Sequence, residues 1–221
     1  EVETIEKIIK KDLDSFYKNN YLSNELSIVI VGDISRKEAE DLGNKISLGF
    51  IPSKIELPIP LVNQVKGQEI RISHPAKQAH LYYGAPIIKR GDPDFLTLYL
   101  GNYILGGGGF VSRLTQEIRE DRGLAYSVYS YFMPYIEAGP FQIGIQTKKD
   151  QVNEAKKIIQ KTVSEFIKNG PSPKELRRAK DFMIGGFPLR LDSNKSILAY
   201  VSMMAFYKYP LDYLETFTNR I

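Results

Sequence analysis

At 221 residues, 43% hydrophobic and 25% charged, the chain can bury a substantial core, and its composition excludes a disordered or fibrous protein. A net charge of +4 and a pI near 9.0 invite a nucleic-acid partner. However, acids alternate with bases, as in Glu117-x-Arg119-Glu120-Asp121-Arg122, which is the pattern of a solvated helix face and not of a phosphate track. The absence of cysteine excludes disulfides and thiol chemistry, and no apolar run reaches the roughly 18 residues a membrane span needs.

In chain order, residues 2–19 read as one amphipathic helix, and residues 26–31 as a strand apolar at nearly every position and so covered on both faces. Ser35-Arg-Lys-Glu38 is a capping box that opens a second helix. Pro52, Pro58 and Pro60 give residues 51–65 the composition of a stiff extended linker, so the domain boundary is expected there. Residues 68–73 and 78–84 read as two strands around a turn at His74-Pro75. Asp92 as N-cap, with Pro93 at the first helical position, opens a helix that runs to Leu105. The run Gly106, Gly107, Gly108 and Gly109 interrupts it, and a helix from Ser112 follows. Residues 124–133 and 138–147 read as paired strands, the second alternating Phe141, Ile143 and Ile145 with Gln142, Gly144 and Gln146, so that one face is buried. Val152, Ala155, Ile159, Val163 and Phe166 keep helical spacing. Ser172-Pro173-Lys-Glu175 is another capping box with proline at the first position, and the remainder reads as helices. Strands and helices mix without strict alternation, which predicts an α+β fold around a mixed or antiparallel sheet.

The densest chemistry lies between Gly106 and Val128. Arg119 falls in the last turn of a helix that Gly123 can end in the left-handed conformation, and Tyr126 opens the next strand, so both side chains can serve one polar site. The competing reading is a surface ion pair from Arg119 to Glu120 or Asp121, with Tyr126 packed in a half-buried strand. The glycine run lacks the spacing of a phosphate-binding loop and follows a helix instead of a strand, so it reads as a tight helix–helix turn or a flexible joint. His74 and His80 are six positions apart with Pro75 between them, which does not supply a histidine pair on one helix face, and no metal site is expected. Tyr126, Tyr129, Tyr131 and Phe132 read as core or cavity lining, since no basic groove accompanies them.

Ser112-Arg113-Leu114, Arg119 with Tyr126, Gly123-Leu124-Ala125-Tyr126, Ala138-Gly139-Pro140-Phe141, Glu175-Leu176-x-x-Ala179-Lys180 and Pro210-Leu211-Asp212-Tyr213-Leu214 together resemble the non-catalytic half of the pitrilysin/insulinase family of zinc metallopeptidases. The resemblance covers essentially the whole chain. It implies an insulinase-like (LuxS/MPP-like) α+β domain with helices packed on one face of its sheet. Residues 1–50 would be the helix-strand-helix end of a preceding domain, residues 51–66 the linker, and residues 67–221 the non-catalytic domain, whose closing helix, strand and helix lie beyond Ile221. Residues 26–31, from the same chain or a self-associated copy, would fill the vacant place in its sheet.

The resemblance further implies that Arg119 and Tyr126 contact an unstructured peptide close to the scissile bond. The zinc is expected on a catalytic domain or subunit, since the inverted His-x-x-Glu-His motif is missing here. The alternative is a structural or assembly subunit with no peptidase role. The expected setting is bacterial, periplasmic or cytoplasmic, with no nucleic acid and no membrane span.

Overall fold

The structure is a computed structural model, and it describes residues 2–22, 26–52, 59–63 and 66–221. The chain divides into two compact units, residues 1–58 with 190–210 and residues 59–189 with 211–221.

In the first unit, the helix expected over residues 2–19 is divided into α1 (Val2–Glu6) and α2 (Lys10–Asn20). The break has a local cause: the Asp12 carboxylate accepts from the Ile9 amide at 3.0 Å, which starts a new helix there. Helix α3 (Arg36–Ser47) is opened by the expected capping box, with Ser35 Oγ accepting from the Glu38 amide at 3.3 Å and Glu38 Oε2 from the Ser35 amide at 2.9 Å. Residues 26–31 carry no strand, which corrects the sequence reading. Among the described residues of this unit the only bridge is Leu22 with Ile51. An apolar run without a ladder partner does not become a strand. The final helix of this unit, Asn194–Phe206, is capped by Ser193, which accepts from the Ser196 amide at 3.2 Å.

The second unit is built on a three-stranded antiparallel sheet of β1 (Gln78–Ile88), β2 (Ala125–Phe132) and β3 (Gly139–Lys148) in the order β1-β3-β2. None of the three strands of this sheet includes residues 26–31. Residues 68–73, expected as a strand, also form none; Ile70 and Ile72 lie exposed, while Glu69 pairs with Arg71 at 2.8 Å and with Lys156.

Between β1 and β2, α4 (Phe95–Asn102) begins later than Asp92. Asp92 instead forms a turn, its carboxylate accepting from the Asp94 amide at 3.0 Å and its carbonyl from the Phe95 amide at 3.0 Å. The helix continues past Leu105 as a π-turn over Tyr103–Gly107 and ends inside the glycine run, at Gly108. A 3₁₀ turn, Gly109–Val111, leads to α5 (Arg113–Thr115), which itself widens into a second π-turn, Gln116–Glu120. After the sheet come α6 (Val152–Asn169) and α7 (Pro173–Gly186).

The register sets Leu81, Ile145 and Val128 in one row across the sheet. This face packs against Leu105, Leu114, Ile118, Ala155 and Ile159 from the helices. A second cluster joins Leu100 and Ile104 to Ala179 and Met183 of α7. Helices therefore cover one face of the sheet. On the other, Tyr82, Gly144 and Tyr129 share a row, and Tyr129 and Tyr131 stack with centroids 5.8 Å apart.

Candidate functional site

Two local devices bring Arg119 and Tyr126 together. Arg119 sits in the second π-turn, a helix irregularity frequent at functional sites. Gly123, at φ +61°, ends that turn as expected: its amide bonds to the Arg119 carbonyl at 3.0 Å and the Leu124 amide bonds to the Ile118 carbonyl at 2.9 Å. The chain thus reverses directly into β2. There Ala125 pairs with Thr147 and Ser127 with Gln146, so Tyr126 is the extra residue of a β-bulge. A bulge re-aims the side chain it carries, and Tyr126 is 85% exposed, not packed in a half-buried strand.

The Arg119 guanidinium carbon lies 4.9 Å from the Tyr126 ring centroid and 4.5 Å from that of Phe110. Its Nε pairs with Glu120 at 3.3 Å. Phe110 is the member of this cluster that sequence reasoning missed; the one signal was an aromatic residue directly after the glycine run. Beside Tyr126 opens a hollow of about 410 Å³ lined by Gly123, Ser127, Gln146 and Lys148, among others. Chemically, the arrangement offers a guanidinium and a phenol as hydrogen-bond donors to a carbonyl or carboxylate oxygen.

The first three glycines of the run are packed tightly against Ser130, Leu114, Asn102 and Tyr103. A Cβ on Gly106 would lie 2.4 Å from Ser130 Oγ and 2.8 Å from Leu114 Cδ1, and one on Gly107 2.5 Å from Asn102 Nδ2. Only Gly109 takes positive φ, at +61°, with open space around it. A joint at this point would pivot at Gly109, beyond the packed glycines.

Ser112 and Arg113, quoted above as part of the resemblance, anchor the cluster. Ser112 is fully buried; its hydroxyl donates to the Gly109 carbonyl at 2.8 Å and shares a 3.0 Å hydrogen bond with Thr115 Oγ1. Arg113 grips both carboxylate oxygens of Glu175 at 2.7 Å and reaches the Gly170 carbonyl at 3.1 Å. The Arg113 guanidinium holds the Glu175 carboxyl down to about 2, with a smaller contribution from Ser172. No sequence pattern announced a partnership across 62 positions.

His74 and His80 are both exposed. The His74 carbonyl accepts from Lys149 Nζ at 3.1 Å, and the His80 ring stacks on Tyr82 at 6.4 Å. Among the described residues, no three of His, Cys, Asp or Glu form a group able to hold a metal ion, and no helix is long and apolar enough to cross a membrane.

Residues 7–183 match the family described as the peptidase M16 inactive domain. A crystal structure of a peptidase M16 inactive domain from Pseudomonas fluorescens superposes with a TM-score of 0.91 at 37% identity, covering 97% of this chain and 51% of that one. The non-peptidase homolog YmxG of Helicobacter pylori is 32% identical over 99% of this chain and 51% of its own length. The uncharacterized zinc protease YmxG of Bacillus subtilis is 29% identical over 88% of this chain and 47% of its own length. The chain thus spans about half the length of the curated relatives it matches.

Proposed function

The chain belongs to the peptidase M16 (pitrilysin/insulinase) family as an inactive domain, and from that premise we propose that it is the substrate-binding half of a zinc metalloendopeptidase. In this reading Arg119 and Tyr126 hold an unstructured peptide near its scissile bond, and zinc is carried by a catalytic domain or subunit. Hydrolysis builds negative charge on the carbonyl oxygen of the scissile bond. A guanidinium and a phenol aimed at that oxygen or at adjacent carbonyls stabilise the bound geometry. The observation that supports this most directly is the guanidinium stacked 4.9 Å from an 85% exposed tyrosine on a bulge. Residues 1–50 then close the preceding domain, residues 51–66 link it, and residues 67–221 form the recognition domain.

The test is binding of fluorescein-labelled casein peptides, followed by anisotropy, to the chain and to Arg119→Ala and Tyr126→Phe variants with unchanged circular dichroism. Each substitution is expected to weaken binding about tenfold or more, the scale of a lost charge-assisted or buried hydrogen bond. Equal binding by all three removes the substrate role from the pair.

A second reading, an assembly subunit without a peptidase role, draws support from the Helicobacter pylori relative, whose name is non-peptidase homolog. It predicts that the parent chain binds the casein peptides no better than the two variants do.

A further inference from the structure

Phe110 is 66% exposed, a large apolar ring left in solvent, yet its loop is fixed from beneath. The Gly109 carbonyl takes both the amide of the fully buried Ser112, at 3.1 Å, and its hydroxyl, at 2.8 Å. Gly109 itself turns the chain at φ +61°. These bonds fix the 3₁₀ turn that carries Phe110, and its ring meets the Arg119 guanidinium at 4.5 Å, closer than Tyr126 does. A ring face attracts a cation by its quadrupole.

We propose that Phe110 is the positioning residue of the Arg119–Tyr126 pair, holding the guanidinium in its binding orientation before ligand arrives. An exposed arginine that grips a ligand ordinarily loses rotamer freedom, and holding it beforehand removes that cost. With its carbon over the Phe110 and Tyr126 rings, the guanidinium is held by its charge, and its N–H groups are left to donate to a carbonyl or carboxylate. Glu120 engages Nε at 3.3 Å, so the two Nη groups form the edge offered to ligand. The inference rests on the peptide-binding reading above for its ligand, but not for its geometry.

The experiment titrates casein peptides into the chain and into its Phe110→Ala, Phe110→Tyr, Arg119→Ala and Phe110→Ala/Arg119→Ala variants. Phe110→Ala is expected to weaken binding about five- to tenfold and Phe110→Tyr to restore it. The double variant is expected to bind no more weakly than Arg119→Ala, because Phe110 acts only through the guanidinium. If Phe110→Ala binds as tightly as the parent while Arg119→Ala does not, the inference is overturned and the peptide-binding reading stands. If Arg119→Ala binds like the parent, the peptide-binding reading is what has failed.

The Arg119 Nε–Hε resonance of the free chain decides on Phe110 without any ligand. A ring-current shift present in the parent and in Phe110→Tyr is expected to disappear in Phe110→Ala. An unchanged resonance in Phe110→Ala overturns the inference whatever the peptides do.

Discussion

Arg113 and Glu175 tie the helix that carries Arg119 to the start of α7. Their two 2.7 Å contacts and the Ser172 cap explain why Glu175 titrates at about 2. Because the folded pKa lies below the ordinary 4.5, the stabilisation is fully present above pH 4.5 and is lost as pH falls toward 2. The two side chains remain 26% and 31% exposed, so solvent screening reduces the contribution to about 2 kcal/mol. Urea titrations of the parent and Glu175→Gln should differ by this amount at neutral pH and converge near pH 2; a constant difference would show that the ionised carboxylate is not what stabilises. Steric effects dominate at Gly106, where an added methyl meets Ser130 and Leu114 at 2.4 and 2.8 Å. Gly106→Ala should cost about 1–3 kcal/mol by overpacking, against about 1–2 kcal/mol for Gly109→Ala, where only the positive φ resists. Thermal unfolding of the two variants checks both values.

At the scale of elements, the capping boxes at Ser35 and Ser172 were legible because every atom they use lies within four residues. Ser172→Ala removes the bond to the Glu175 amide and one support of the Glu175 carboxylate. It should cost about 1 kcal/mol, readable as a lowered urea midpoint at unchanged slope. Strands β2 and β3 were legible from alternation, and α6 from its period. The segment at 26–31, apolar at nearly every position, and the segment at 68–73, alternating like β3, both read as strands and yet form none. A strand is completed by a neighbour, which residue pattern does not supply. The two π-turns and the bulge at Tyr126 were likewise invisible, since each adds one residue to a regular ladder for reasons of packing.

For the whole molecule, the proposed function makes the chain inactive alone. Incubated with casein peptides and zinc, it should release no new amino termini, and cleavage by the isolated chain would refute the division of labour. The apolar faces of α2 and the run at 26–31 bear on association: Leu13 and Phe16 are 61% and 60% exposed, and α1, α2 and α3 bury no residue. If residues 26–31 pair with the sheet of a neighbouring copy, the mass by light scattering should rise above 25.2 kDa with concentration, and Val29→Pro should lower it. A monomer at every concentration removes that form of the sheet-completion hypothesis.

The sequence by itself determined the family, the α+β class, the caps at Ser35 and Ser172 and the proximity of Arg119 to Tyr126. These rest on residues near one another in the chain, where propensity, periodicity and turn chemistry act locally. Only the tertiary structure decided that Phe110 joins the pair, that Arg113 answers Glu175, and that Gly106 and Gly107 are glycines because side chains fill the space a Cβ would need. Those contacts depend on how the packed helices and sheet meet, and burial and close approach are properties of that packing, not of any single stretch of chain.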